Sequence, residues 1–196
     1  MTEEFPKPNF TPGKSLERNI KEGVDFVFEQ NPELAKIGTK EQYSEYLDTI
    51  FPKSKIKNIV YHTTSSPNIE EFRQTYFGVY FAFSPTKSIA GDIVYSVIVN
   101  AENPLIKPNV DASREEKIKY TEKVRNFYTP ISFVNDYIRI HEYDSSIESS
   151  STTKEGIQLK IRNPEQIHIL GSKQDIERFK EFVQGNKSNI IVAMNE

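Results

Sequence analysis

The chain has 196 residues, with 25 basic against 28 acidic side chains and no cysteine. This length suits one compact domain with a hydrophobic core and an appendage, and the lack of cysteine excludes disulfide scaffolds, thiolate metal sites and cysteine nucleophiles. A net charge of −3 gives no general attraction to nucleic acid or to an anionic membrane. A metal site made only of histidine would use all three histidines, which are scattered along the sequence, so we expect no bound metal.

Residues 1–52 are predicted to form an irregular arm followed by two helices. Prolines and a glycine interrupt residues 1–14, whereas apolar side chains recur three and four apart from Leu16 to Phe28. Thr39 and Gln42 then have the spacing of a capping box, which marks the start of a second helix. We interpret these helices as a segment that covers the main domain.

From residue 56 onward the hydrophobic pattern becomes that of β-strands. Helices and strands do not alternate regularly, so we expect an α+β domain over residues 53–185 and not a doubly wound parallel sheet. Residues 186–196 are left as a tail. The clearest predicted strands are Ile59–Tyr61, Val79–Phe83, Asp92–Ala101, Ile157–Ile161 and Gln166–Leu170.

Three further segments complete the sequence-based prediction. The serines and threonines from Ser145 to Thr153 predict a mobile turn, although Tyr143–Ile147 also fits a short strand. A charged helix is expected from Ala112 to Phe127. Ser172 is expected to cap a last helix, and His168, between two isoleucines, is expected to be a surface or hydrogen-bonded structural histidine.

Two stretches combine a β-strand, a turn and polar side chains in the way that an active site requires. They are Tyr61–Thr64, which contains His62, and Gly78–Ser88. A histidine at a strand end can bind a ligand hydroxyl, loop backbone can bind a carboxamide, and an aromatic strand can stack on a planar ring. The alternative is a structural histidine beside a core strand.

The same stretches resemble motifs of the ADP-ribosyltransferases of the His-Tyr-Glu branch, which includes diphtheria-toxin-like domains and the poly(ADP-ribose) polymerases. That branch has Tyr-His-Gly-Ser/Thr, to which Tyr61–Thr64 is similar, and Gly-x-Tyr-Phe-Ala followed after four residues by Lys-Ser, to which Gly78–Ala82 and Lys87-Ser88 are similar. Asn163–Ile167 resembles the ending of compact bacterial and phage domains of this kind. The resemblance covers residues 56–170 and implies a split β-sheet core, here preceded by a helical N-terminal segment.

The resemblance implies roles for matched positions only. His62 would bind a ribose hydroxyl of NAD, and the backbone of Thr63 would hold the nicotinamide carboxamide. Tyr80 would stack on the nicotinamide ring, and Ser88 would bind its amide. The other residues that the resemblance places at the NAD site are Tyr61, Thr64, Phe81, Ala82, Lys87 and Tyr95.

The sequence also departs from the pattern of the branch. Thr63 replaces the usual glycine, so a side chain narrows the floor of the site. Gly91 stands where a second stacking tyrosine is often found, so Tyr76 or Tyr95 would have to substitute for it.

The catalytic glutamate of the branch is expected eight residues before Gln166, and Gln158 occupies that position. Glutamine can bind the ribose 2′-hydroxyl but cannot stabilise positive charge as a carboxylate does. Glu155 lies three residues earlier and could supply the charge if its segment bends. Strand alternation does not allow Glu155 and Gln158 to face the same way in a regular strand, so both remain candidates.

The activity that the resemblance implies is transfer of one ADP-ribose unit from NAD to a macromolecular acceptor, with release of nicotinamide. A protein is favoured as the acceptor, and neither nucleic acid nor a membrane is indicated. The alternatives are an inactive binding module that keeps the fold, and an NAD glycohydrolase. Since the sequence shows neither a secretion signal nor a long apolar run, we expect a cytoplasmic protein, with delivery as an effector as a further option.

Overall fold

The computed structural model describes residues 16–73, 75, 78–85, 90–106, 113–115, 143–149 and 157–193. Over these residues the chain forms three α-helices and two β-sheets, an α+β fold as predicted. The helices are α1 (Leu16–Gln30), α2 (Lys40–Ile50) and α3 (Lys173–Ala193), with 3-10 helices at Pro32–Lys36 and Pro164–Gln166. The strands are β1 (Val60–Thr64), β2 (Val79–Phe81), β3 (Ile93–Val99), β4 (Pro104–Ile106), β5 (Ser145–Ser149), β6 (Ile157–Ile161) and β7 (Ile167–Ile169).

The two helix starts that the sequence predicts, at Thr39 and at Ser172, are present. The Gln42 backbone N–H donates to Thr39 Oγ1 at 3.2 Å, and the Thr39 N–H donates to Gln42 Oε1 at 2.9 Å, so the capping box of α2 is complete. Helix α3 has the predicted cap at Ser172, whose Oγ accepts from the Asp175 N–H at 3.2 Å. These caps satisfy backbone donors that helix geometry leaves without a partner.

The first sheet has the antiparallel strand order β1-β3-β7, and all three α-helices pack on one of its faces. Tyr61 and Ile98 contribute that face, while Phe179 enters from α3 and Tyr43 from α2. The N-terminal helices therefore share one core with the sheet and with α3. This helical core consists of Val24, Val27, Phe28, Leu34, Tyr43, Tyr46, Leu47, Ile59, Tyr61, Ile98, Leu170, Phe179 and Val183.

The second sheet has the strand order β2-β6-β5-β4, with β4 and β5 parallel and the other pairs antiparallel. Its buried face packs on the face of the first sheet that lies opposite the helices, because successive strand residues alternate between faces. The resulting order is helices, first sheet, second sheet. This inter-sheet core consists of Ile56, Val60, Phe72, Val79, Phe81, Val97, Val99, Ala101, Ile147, Leu159, Ile161 and Ile169.

The serine-rich segment differs from its prediction as a mobile turn. Ser145–Ser149 is strand β5, paired with β4 on one side and β6 on the other. The prediction was wrong for these residues because two neighbouring strands bury them: Ser145 and Ser146 are 1% and 0% exposed. The alternative, a strand over Tyr143–Ile147, overlaps β5, and residues 150–153 lie outside the described part.

The C-terminal segment, which the sequence analysis left without an element beyond residue 185, is helical as far as residue 193. Apart from residues 113–115, the predicted charged helix lies outside the described residues. Among the helices that are described, none is both long and apolar enough to cross a membrane.

Candidate functional site

The two sheets meet where β1 passes the end of β2. Tyr61 and Ala82 exchange both of their backbone hydrogen bonds, at 2.9 and 2.8 Å, and form a single isolated bridge. The next such exchange in an antiparallel ladder would join Thr63 and Tyr80, two residues along each strand. No ladder pairing continues among these described residues, since β1 pairs with β3 and β2 pairs with β6.

His62 interrupts the ladder at this point. Its Nδ1 lies 2.9 Å from the Tyr80 carbonyl oxygen, the acceptor that the Thr63 N–H would use in a continuous sheet. The imidazole thus takes the place of a backbone donor. We call the region where β1 and β2 separate, from the Tyr61–Ala82 bridge to Thr64, the strand junction.

This hydrogen bond determines the tautomer of His62. A carbonyl oxygen only accepts, so Nδ1 carries the proton, and Nε2 of the neutral ring is an acceptor. Phe72 and Phe81 hold the ring by edge contacts, with centroids 5.0 and 5.8 Å away. Within the described residues Nε2 has no hydrogen-bond partner, which is the arrangement needed to accept a hydrogen bond from a ligand hydroxyl.

Tyr80 provides an aromatic surface on the face of β2 opposite the buried side chains of Val79 and Phe81. Its side chain is 37% exposed, the one large hydrophobic side chain in the described part of the chain that is exposed. Lys160, its partner across β2 and β6, places its ammonium 5.5 Å from the ring centroid. A planar ligand would therefore stack on the other side of the ring or displace Lys160.

Gln158 lies on the same face of the second sheet as Tyr80. Lys160 pairs with Tyr80, and residues two apart on a strand share a face, so Gln158 belongs to this face as well. Its partner on β5 is Glu148. The other candidate for the catalytic side chain, Glu155, lies outside the described residues, as do Lys87, Ser88 and Tyr76.

The remaining predicted residues of β1 and β2 have mixed surroundings. The side chain of Tyr61 is buried in the helical core with its ring edge-on to Phe26, and Phe81 is buried in the inter-sheet core. Ala82 forms the bridge. The backbone groups of Thr63 lie on the same edge of β1 as those of Tyr61, because alternate residues of a strand address the same neighbour.

Tyr95 and Thr64 hold the segment that follows β1. The Tyr95 hydroxyl accepts from the Ile69 N–H at 3.0 Å and donates to the Ser66 carbonyl at 3.1 Å. Thr64 Oγ1 accepts from the Ser66 N–H at 3.1 Å. The structure therefore gives Tyr95 an anchoring role beside His62, with which it pairs across β1 and β3.

Steric contacts explain why glycine occupies two positions near the strand junction, one before β2 and one before β3. Gly78 has φ of 77°, and a Cβ there would lie 2.5 Å from the Ile161 carbonyl oxygen. Gly91 has φ of 150°, and a Cβ would lie 2.2 Å from the Thr64 carbonyl carbon. The absence of a second tyrosine at position 91 is therefore explained by close contact with the end of β1.

The third motif, Asn163–Ile167, has a structural role. Gln166 Nε2 donates to the Asn100 carbonyl, and the Asn100 N–H donates to the Gln166 carbonyl, both at 2.7 Å. Gln166 Oε1 also accepts from the Asn163 N–H at 3.1 Å. This segment therefore fixes the turn between β6 and β7 against the end of β3.

A buried polar network in the helical core was missed by the sequence analysis. The carboxylate of Asp175, 0% exposed, accepts from the hydroxyls of Tyr43 and Tyr46 and from the Gly171 N–H, and it lies 2.6 Å from His168 Nε2. Burial, and then the charge of Asp175, raise the pKa values of both tyrosines. The prediction that His168 is a structural histidine is confirmed.

One signal could have found part of this network. Ser172 and Asp175 have the Ser-x-x-Asp spacing of a helix cap, which places a carboxylate at the start of α3. That spacing does not show that Tyr43 and Tyr46, more than a hundred residues earlier, supply its donors.

No protein-family model, no curated protein sequence and no solved structure matches this chain. Within the described residues, no group of three histidine or acidic side chains is placed to hold a metal ion. The functional interpretation therefore depends on the residues of the strand junction and their geometry.

Proposed function

We propose that the chain is an NAD-dependent mono-ADP-ribosyltransferase with a split β-sheet core of the ADP-ribosyltransferase kind. The observation that carries this proposal is the hydrogen bond from His62 Nδ1 to the Tyr80 carbonyl. It joins the two sequence stretches that resemble the family at the place where β1 and β2 separate. A mobile or solvated histidine would not have its tautomer and its ring orientation set in this way.

The junction offers a hydrogen-bond acceptor and an aromatic face for two parts of NAD. His62 Nε2 would accept a hydrogen bond from a ribose hydroxyl. The ring of Tyr80 would pack against the nicotinamide, an interaction to which aromatic faces are suited. Holding both parts fixes the bond between them in one conformation, and such positioning lowers the barrier of the reaction.

The reaction breaks the bond between the ribose C1′ and the nicotinamide nitrogen. The electron pair of that bond goes to the nicotinamide, which leaves as a neutral molecule because it is cationic in NAD. The ribose becomes oxocarbenium-like, and a nucleophile of the acceptor forms the new bond to C1′ and gives up its proton. Negative charge near the ribose stabilises this state.

Gln158 favours a second candidate, a binding module without activity. A neutral amide at the position expected for the catalytic glutamate can bind NAD but supplies no charge. This candidate retains the geometry of the junction and predicts binding without turnover. NAD glycohydrolase activity, with water as the nucleophile, is a third outcome of the same experiment.

The test is to incubate the protein with NAD labelled in the adenylate portion, in the presence of lysate proteins and RNA. Free nicotinamide together with label on protein supports the transferase, and free labelled ADP-ribose in its place identifies a glycohydrolase. A rise of the unfolding temperature with NAD but no nicotinamide identifies a binding module. If NAD produces no turnover and no thermal shift, the strand junction is not an NAD site.

A further inference from the structure

We propose that Tyr95 is a positioning residue for His62 and acts on it through the segment Ser65–Phe72, which follows β1. Where it concerns NAD, the inference rests on the proposed function, because it says how the NAD-binding histidine is kept in its binding form. This role differs from the stacking on nicotinamide that the sequence analysis considered for Tyr95.

The hydroxyl of Tyr95 holds two backbone groups of this segment. It accepts from the Ile69 N–H at 3.0 Å and donates to the Ser66 carbonyl at 3.1 Å. The Tyr95 ring packs against the inter-sheet core, so a fixed ring on β3 carries the hydroxyl. A second anchor lies one residue further along, because the Glu70 carboxylate accepts from the Lys173 N–H, at the start of α3, at 3.2 Å.

The segment ends in Phe72, whose ring contacts the His62 imidazole. Phe72 is 7% exposed and belongs to the inter-sheet core. Its ring meets His62 edge-on with centroids 5.0 Å apart, and it meets Phe81 with centroids 5.7 Å apart. Since Phe81 also lies 5.8 Å from His62, the three rings contact one another. The imidazole is therefore held from two sides, by β2 and by the segment that Tyr95 anchors.

The orientation of the imidazole decides which nitrogen a ligand meets. The hydrogen bond of 2.9 Å from His62 Nδ1 to the Tyr80 carbonyl exists only while the ring keeps its present orientation. If the ring turns, this bond is lost and either nitrogen of the neutral ring can carry the proton. A protonated Nε2 cannot accept from a ribose hydroxyl. Tyr95 and Phe72 therefore set the fraction of molecules that is competent to bind NAD in the proposed way.

Loss of such positioning has a defined kinetic signature. When only a fraction of the molecules is competent, the apparent dissociation constant rises by the inverse of that fraction. The variant Tyr95→Phe keeps the ring and removes the hydroxyl, so it should raise the KM for NAD about three- to tenfold and leave kcat within about threefold. A group that contacts the reacting atoms would instead lower kcat when it is removed.

The experiment combines nicotinamide release with NMR spectroscopy of nitrogen-labelled histidine rings, of which the chain has three. Ring nitrogen shifts distinguish the two tautomers, and His62→Asn identifies the signals of His62. Spectra are recorded at about pH 8.5, where an ordinary histidine is neutral. The test variants are Tyr95→Phe and Phe72→Leu. The matched control is Tyr46→Phe, which removes a hydrogen-bonded hydroxyl in the helical core, beside His168.

Wild-type His62 should carry its proton on Nδ1. Both Tyr95→Phe and Phe72→Leu should show a mixture of tautomers that saturating NAD returns to the wild-type form. The fraction with the proton on Nδ1 should account for the KM of each variant. The control Tyr46→Phe should leave the signals of His62 unchanged.

A folded Tyr95→Phe protein with the wild-type tautomer of His62 would overturn the proposal, and Phe72→Leu decides it in the same way if Tyr95→Phe does not fold. An equal change at His62 in Tyr46→Phe would also overturn it, because it would indicate a general loosening of the fold. Wild-type protein that releases no nicotinamide would refute the proposed function instead. The tautomers are measured without NAD, so they would still decide whether Tyr95 positions His62.

Discussion

Tyr80 is the residue of the strand junction that combines exposure with a flat apolar surface. Its ring is the part that the proposed function uses, so Tyr80→Ala should raise the KM for NAD by roughly 5- to 160-fold, in line with stacking contributions of about 1–3 kcal/mol per base. Tyr80→Phe keeps the ring and should stay within about threefold of wild type. Steady-state nicotinamide release measures both variants, and equal KM values for Tyr80→Ala and wild type would exclude stacking.

The two tyrosines that bind Asp175 should make the free energy of unfolding depend on pH in the alkaline range. Their pKa values are raised above the ordinary value of 10.0 in the folded protein by burial and by the Asp175 charge. Below about pH 10 both states keep these protons and the stabilisation is complete. Above that pH the unfolded chain binds fewer protons, so the free energy of unfolding falls as pH rises.

The expected slope is about 1.4 kcal/mol per pH unit for each of the two tyrosines. Urea unfolding between about pH 9 and pH 11 measures it. The matched control is the double variant Tyr43→Phe/Tyr46→Phe, which keeps both rings and removes the two titrating hydroxyls. An equal slope in wild type and double variant would contradict this account of the network.

At the scale of elements, the end of β1 is held by its close contact with Gly91. A Cβ at this position meets the Thr64 carbonyl carbon at 2.2 Å, and the positive φ adds strain for any L side chain. Gly91→Ala should therefore lower the free energy of unfolding by about 2 kcal/mol or more. It should also lower nicotinamide release, because displacement of β1 moves His62.

Gly185→Ala is the matched control for this variant, since a Cβ at position 185 of α3 meets no atom within 4 Å. Replacing a helical glycine with alanine should leave stability unchanged or raise it by up to about 1 kcal/mol. Chemical denaturation compares the two variants. A Gly91→Ala protein as stable as wild type would show that the end of β1 adapts easily.

Sequence patterns were sufficient to predict the elements that depend on residues close together in the sequence. The capping box at Thr39, the cap at Ser172 and the alternating strand Ile157–Ile161 are all present as predicted. Strand β5 was predicted only in part, as the alternative strand over Tyr143–Ile147, because its burial comes from pairing with β4 and β6 and its serines carry no hydrophobic pattern. Local composition cannot report such long-range pairing.

The candidate site shows the same limit. The motifs select His62 and Tyr80, but they do not show that the imidazole replaces a backbone donor in the ladder. The register that places Glu148 opposite Gln158 is likewise a property of paired strands. Both features depend on contacts between segments that are distant in sequence.

At the scale of the whole molecule, the N-terminal helices belong to the folded core. Val27, Tyr43 and Leu47 are buried with Tyr61 and other residues of the first sheet and α3. A chain that lacks residues 1–52 would expose this apolar surface and would leave the buried Asp175 carboxylate without its two tyrosine donors.

We therefore expect the chain of residues 53–196 to show no cooperative thermal unfolding, whereas the full chain does. Circular dichroism during heating measures both proteins. A cooperative transition in the shortened chain would show that the helices dock on an independently stable domain.

The most direct test of the central claim measures nicotinamide release from NAD by wild-type protein and by His62→Asn. Asparagine can still donate to the Tyr80 carbonyl from the Nδ1 position but has no group at Nε2. The account predicts nicotinamide release by the wild type and a rate of release about 100-fold or more lower in the variant. Without NAD, the variant should still fold as the wild type does. Equal release by the two proteins would contradict the claim that His62 Nε2 binds NAD, and no release by wild type would contradict the proposed activity.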